Sequence, residues 1–393
     1  MTRLAVLVLS GMAATAGVIS LDSDLRNALG WTPPASLQRA GYAASWSAHS
    51  DNAIGLLEKA LSADEASPYA WGDLAEAFAD SGNSDMARRA FLRALELGPG
   101  IPSIRMRFAN FLFASGKSER ALEECATILR STEAFNDEIF STLARLGGDA
   151  ERLPRLGIGE NPSAANAFLA FLIQSAKNRP EAVDPAWRWL TLHSYQNTQS
   201  GILYVNWLYQ RKDYARAAAV WAATGERHEA NYRISNFLYN SGFEFPLAPV
   251  AFDWSIPAVE GVRASFDQSD PAGERCLRLE FQGDSNLNFH GDSQQTWLEP
   301  GFYRIAARED TDNLTTDEGI GVRVFDPRSP GDLDVTSASL TGTHQWIKLT
   351  FELTVPPPAR LVQVEFVRRP SRQFNSRIKG VVRIDDVTLT RVR

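Results

Sequence analysis

The sequence predicts a multidomain chain, an all-α solenoid of paired helices followed by an all-β jelly-roll sandwich. Three observations carry this expectation. Ala53, Ala87 and Ala121 recur 34 residues apart, and Leu57, Phe91 and Cys125 keep the same offset. From Cys276 onward, short segments alternate apolar and polar residues with the period of a strand. Between them the composition changes at Asn240-Ser241-Gly242, from alanine-rich segments to short runs separated by glycine, proline, aspartate and asparagine.

The helical part is clearest from Trp71 to Pro99. Trp71, Leu74, Ala75 and Phe78 lie at helical spacing, Gly82-Asn83 interrupts them, and Ala87, Phe91 and Ala94 resume the pattern until Pro99 closes it. This is a helix, a tight turn and an antiparallel helix, in which small residues of the second let the backbones approach. With its 34-residue period the stretch resembles the tetratricopeptide repeat. Successive units start near Pro34, Pro68 and Pro102, and three such units suffice to bury a continuous core. Past residue 135 the pattern is irregular. A clear unit returns at residues 201–224, where Tyr204, Val205 and Leu208 face Ala217, Trp221 and Thr224 across an Arg211-Lys212-Asp213 turn. Residues 35–240 read as one helical array.

The first 21 residues follow the order of a secretory signal peptide. A basic start at Arg3 precedes the apolar run Leu4 to Met12 and the small-residue site Ala14-Thr15-Ala16. From Leu4 to Leu21 the chain is apolar or small for about the length at which spanning becomes feasible, so the alternative is an uncleaved N-terminal membrane anchor. Either outcome implies an exported chain, periplasmic or extracellular, touching a membrane only through this segment.

With 393 residues, 44% hydrophobic and 22% charged, the chain has ordinary globular composition and room for two domains. Its net charge of -7 argues against nucleic acid as a partner, since a phosphate-tracking surface needs a basic excess. Cys125 and Cys276 fall in different predicted domains and read as small buried hydrophobes.

Residues 243–393 carry the strand-like segments 276–281, 302–307, 320–325, 346–353, 361–367 and 381–389, with turn signals such as Pro300-Gly301 and Pro356-Pro357-Pro358 between them. Short strands without intervening helices define a sandwich. An ordered set of features runs through this part: Phe243-Glu244, Asp253-Trp254, Gln294-Gln295, Pro300-Gly301-Phe302-Tyr303-Arg304, Trp346, and Ile384-Asp385-Asp386-Val387 near the end. It resembles the galactose-binding-like jelly rolls of the cellulose- and xylan-binding modules of secreted glycosidases. That resemblance implies aromatic side chains stacked on sugar rings across one sheet face. It also implies one structural calcium ion on the rim, held by Glu244 with Asp385 or Asp386, whose hard oxygens are what calcium requires.

Alternation indicates which side chains leave the core. With Tyr303, Ile305 and Ala307 inside, Arg304 and Arg308 point out. With Val322 and Val324 inside, Arg323 and Phe325 point out, and Gln363 and Glu365 oppose Val362, Val364 and Phe366. Placed on one face, Arg304, Arg308, Arg323, Phe325, Gln363 and Glu365 form a groove for an acidic or hydroxyl-rich glycan. Solvent-side aromatics are sparse. The basic run Arg368, Arg369, Arg372, Arg377 and Lys379 reads as a solvated loop.

The sequence shows no paired-histidine zinc helix, nucleophile elbow, phosphate-binding loop or Cys-x-x-Cys pair. The expectation is therefore an exported, non-enzymatic scaffold with no catalytic residues. Its helical groove binds a protein partner and its jelly roll contacts glycan, in the setting of exopolysaccharide assembly or secretion. Two rivals remain: an interaction module that binds no sugar, and a polysaccharide-modifying enzyme with a site at the domain junction near Asn240.

Overall fold

A computed structural model describes residues 32–45, 50–146, 157–175, 180–225, 229, 231–268, 274–374 and 376–392. The expected signal or anchor segment, 1–21, lies outside them. Among the described residues no helix is long and apolar enough to cross a membrane. By packing, the chain divides into two compact units, Met1–Tyr195 and Gln196–Arg393.

The first unit is helical: α1 (Pro34–Ser45), α2 (Ser50–Ala63), α3 (Pro68–Asp80), α4 (Ser84–Leu97), α5 (Pro102–Ala114), α6 (Ser118–Ser131), α7 (Asn136–Leu146), α8 (Pro162–Gln174) and α9 (Val183–Leu192). The repeat is visible in the caps as well as in the core. Proline opens α1, α3 and α5, where its missing N–H costs no hydrogen bond. Ser67 caps α3 by accepting from the Ala70 N–H, and Asn83 caps α4 by accepting from the Met86 N–H. Gly82 and Gly116, one period apart, both take the left-handed turn between paired helices, with φ of +81° and +73°. Ala53, Ala87 and Ala121 are fully buried where paired helices pack, as the spacing requires. Phe91 of α4 packs on Phe108 and Phe111 of α5, each with ring centroids 5.5 Å apart, and so joins one unit to the next.

The second unit begins with the helical hairpin α10 (Thr198–Gln210) and α11 (Tyr214–Gly225). Among the described residues nine strands follow: β1 (Val262–Asp267), β2 (Cys276–Gln282), β3 (Phe289–Leu298), β4 (Gly301–Leu314), β5 (Gly321–Phe325), β6 (Asp334–Thr336), β7 (Gly342–Val355), β8 (Arg360–Arg368) and β9 (Lys379–Arg391). They form two antiparallel sheets, ordered β1-β2-β9-β4-β7 and β3-β8-β5-β6. The core between the sheets holds Tyr303, Ile305, Val322, Val324, Val364 and Phe366, on the alternation expected, together with Phe281 and Trp254.

Two differences from the sequence expectation have physical causes. Strand β3 lacks a strand-like alternation because a bulge between His290 and Ser293 breaks it and because its inward side chains include Gln294 and Thr296. Gln294 is tolerated inside because its amide bonds the Tyr239 backbone twice, each at 2.8 Å. The packing division also falls before the last helical hairpin rather than near residue 240. The hairpin is tied to the sheet region by Tyr209 Oη donating to Gln295 Oε1 at 2.6 Å, by Asn206 Nδ2 donating to the Pro249 carbonyl at 2.9 Å, and by Trp221 set edge-on to Tyr239.

Candidate functional site: the outer face of the four-stranded sheet

Register places the outward side chains of this sheet in rows. Gln295 on β3 lies opposite Gln363 on β8, which lies opposite Phe325 on β5, which lies opposite Asp334 on β6. The next row is Ser293, Glu365, Arg323 and Thr336. At the usual strand separation a row of four spans about 14 Å. Of the six residues expected to bind glycan, Arg323, Phe325, Gln363 and Glu365 come together here.

These side chains are held by one another. Arg323 makes a two-pronged contact with Asp334, both bonds 2.8 Å, and donates to Glu365 at 2.9 Å. Its Cζ lies 4.0 Å from the centre of the Phe325 ring. Bonding to Asp334 and Glu365 holds the Arg323 pKa up against the opposing effect of burial, and the same contact holds the Asp334 carboxyl below its ordinary range. Gln295 Nε2 donates to Gln363 Oε1 at 2.9 Å, and His290 Nδ1 stands 3.5 Å from Glu365. A polar, hydrogen-bonded floor thus surrounds one aromatic ring. Gln295, present in the ordered set of sequence features but not assigned to the site, and Asp334 and His290, which no pattern singles out, are aligned with the others only by strand register.

Arg304 and Arg308 do not belong to this face. They lie on β4 in the other sheet, so the single groove of three arginines is not formed. Arg304 is paired with Glu352, directly across on β7, at 2.7 Å. Arg308 bonds Asp386 at 3.1 Å and stacks over Trp346 with its Cζ 5.0 Å from the ring centre. Each of the three arginines has a carboxylate partner from a neighbouring strand, which removes the reason to expect an acidic ligand. Arg368 also departs from expectation. It is buried and donates to the carbonyls of Leu287, Glu318 and Ser376, clamping three loops rather than standing in solvent.

At the expected calcium position, Glu244 and buried Asp385 converge on Gly242. A Cβ on that glycine would lie 3.4 Å from Asp385 Oδ1 and 3.8 Å from Glu244 Cγ. Asp386 turns away to Arg308. Glu244 Oε1 already accepts from the Arg275 N–H at 2.6 Å. Among the described residues no three His, Cys, Asp or Glu side chains gather as a metal site. The donors here are two carboxylates of the hard-oxygen kind that calcium takes, the rest of whose ligands would be backbone carbonyls.

Other titratable groups are structural in their surroundings. Asp253, pushed up to about 6 by burial, accepts from the N–H groups of Ala248 and Trp254, each at 2.7 Å. Burial pushes Asp292 up to about 7 and Glu309 up to about 8. Asn240, the residue at the supposed domain junction, pairs its side chain with the Phe245 backbone and accepts from Trp254 Nε1 through its carbonyl. Both cysteines are buried, as expected; Cys276 Sγ donates to Asp267 Oδ1 at 3.0 Å, and burial pushes the Cys125 thiol up to about 12.

In the helical unit, a pocket of about 440 Å³ opens between α2, α3 and α4, with Leu61, Trp71, Phe78 and Met86 among its apolar walls and Glu58 and Arg89 beside them. A polar ladder joins the first helices of three units. Gln38 donates to Asp73 at 2.7 Å, and Arg107 bonds Asp73 at 2.8 Å and Glu76 at 2.6 Å.

No family model matches the chain, and no curated protein matches it in sequence. Solved structures do resemble it. The Clostridium thermocellum xylanase 10B CBM22-1 and GH10 modules, complexed with xylohexaose, are 14% identical over 40% of this chain, with a TM-score of 0.29. A structure described as CBM4 is 17% identical over 39% of this chain and 99% of its own, with a TM-score of 0.29. Pseudomonas aeruginosa PilF is 18% identical over 51% of this chain and 93% of its own, with a TM-score of 0.27. The chain spans 29% of the xylanase structure. The chain itself is a helical array followed by a two-sheet antiparallel sandwich.

Proposed function

We propose that the protein is an exported, non-enzymatic binding scaffold whose jelly roll holds a neutral, hydroxyl-rich glycan on the outer face of the four-stranded sheet, while its helical array takes a protein partner. The observation that carries the reading is the row Gln295, Gln363 and Phe325 with Arg323 and Glu365 beside it. Donors and acceptors of both kinds surround an aromatic ring, which suits hydroxyl groups better than a carboxylate, since Arg323 is already satisfied by two acids. Assembly or secretion of an extracellular polysaccharide is the setting in which these two binding functions belong together. One structural calcium ion, bound by Glu244 and Asp385, completes the reading.

Affinity electrophoresis of the full chain through gels containing hydroxyethylcellulose, xylan or alginate tests the glycan reading. Retardation by a neutral polymer, lost in Phe325→Ala, is the expected result. Free migration in all three gels would leave an interaction module that binds no sugar.

A further inference from the structure

The helical hairpin beside the sheet supplies what the sheet lacks. Gln295 points outward, opposite to its buried neighbours Gln294 and Thr296, so Tyr209 of α10 reaches it from the outer side of the sheet. Tyr214, at the start of α11, stands edge-on to Tyr209 with centroids 5.0 Å apart. Arg328, three residues past Phe325, lies over the Tyr214 ring at 5.6 Å. The hairpin therefore reaches Gln295 at one end of the row and Arg328, in the turn after Phe325, beyond the other. One row further on, the outward-facing Leu361 of β8 is only 2% exposed, so the face is closed on this side. The opposite side is open, where His290 is exposed.

We propose that the glycan site is a composite cleft, with the four-stranded sheet as its floor and Tyr209 and Tyr214 of the last helical hairpin as its aromatic wall. This rests on the glycan-binding reading above and adds the source of the stacking surface. Strand alternation leaves Phe325 as the aromatic of the open rows, and one ring gives a sugar little apolar area to cover. Tyr209 and Tyr214, both half-buried, add two more rings with polar edges, the kind of side chain that packs on a ring and bonds a hydroxyl at once. Tyr209 also sets the floor. Its hydroxyl donates to Gln295 Oε1, which leaves the Gln295 amide nitrogen to donate to Gln363, so the amide orientations along the row follow from the helix. Burial raises the Tyr209 pKa, against the lowering effect of its bond to Gln295, and the phenol stays a donor at neutral pH.

The test uses the full chain in the same three gels, with thermal melting recorded for every variant. Tyr214→Ala should lose at least tenfold in retention by the neutral polymer that retards the wild type, and Tyr214→Trp should restore it. Tyr209→Phe keeps the ring but frees the Gln295 amide, and should weaken retention several-fold at an unchanged melting midpoint. If Phe325→Ala abolishes retention while Tyr214→Ala and Tyr209→Phe bind like the wild type, the sheet acts alone and the composite cleft is overturned with the glycan reading intact. A wild-type chain that no gel retards overturns both.

Discussion

Arg323 and Glu365, on adjacent strands and directly opposite in register, are bonded at 2.9 Å, and Glu365 is almost wholly buried by the contact. The arginine therefore serves the fold. Truncating it leaves a carboxylate with reduced access to water and without its strongest partner. Arg323→Ala should cost on the order of 1–3 kcal/mol of stability, whereas Arg304→Ala, which breaks an exposed pair with Glu352, should cost about 0–1 kcal/mol. Urea unfolding of the two variants separates them. Equal midpoints would show that the buried pair contributes no more than the exposed one.

Stability should depend on pH in an unusual direction. Glu309 is fully buried, with no hydrogen-bond partner for either carboxyl oxygen among the described residues, and it keeps its proton up to about 8. Asp292 keeps its proton up to about 7. Both pKa values are raised by folding, so their contribution is fully present below the ordinary carboxylate range and is lost as pH rises through 7 to 8. The urea midpoint should fall between pH 5 and pH 9. In Glu309→Gln, which cannot ionise, that fall should be smaller. A midpoint independent of pH over this range would contradict the assignment.

The helical repeat makes a packing prediction. Ala87 has no exposed surface where α3 and α4 lie together, so Ala87→Leu forces extra volume into a close approach and should cost about 1–3 kcal/mol. Calorimetry of the full chain measures it. An unchanged melting profile would mean that the pair has room the packing denies.

Calcium, if held by Glu244 and Asp385, binds only the folded sandwich and should raise its melting temperature by mass action. Excess chelator should lower it, and Glu244→Ala should remove the difference. Identical melting with calcium and with chelator eliminates the ion from the description.

The repeat was legible because its cause is local. Proline at a helix start, glycine in the turn and alanine at the close approach act within one unit of 34 residues, so Pro68, Gly82 and Ala87 announce their roles without knowledge of the rest of the chain. Strand alternation was legible for the same reason, and it placed Tyr303, Val322 and Val364 inside and Arg304, Arg323 and Gln363 outside. Alternation cannot say which sheet a strand joins, because that depends on pairing between residues far apart in sequence. Tertiary structure alone sent Arg304 and Arg308 to one sheet and Arg323 to the other, gave each a carboxylate from a neighbouring strand, and brought Tyr209 from a helix to Gln295 on a strand 86 residues later. Core burial is decided by a residue's own chemistry and its period. A binding face is decided by which distant strands and helices the core brings side by side.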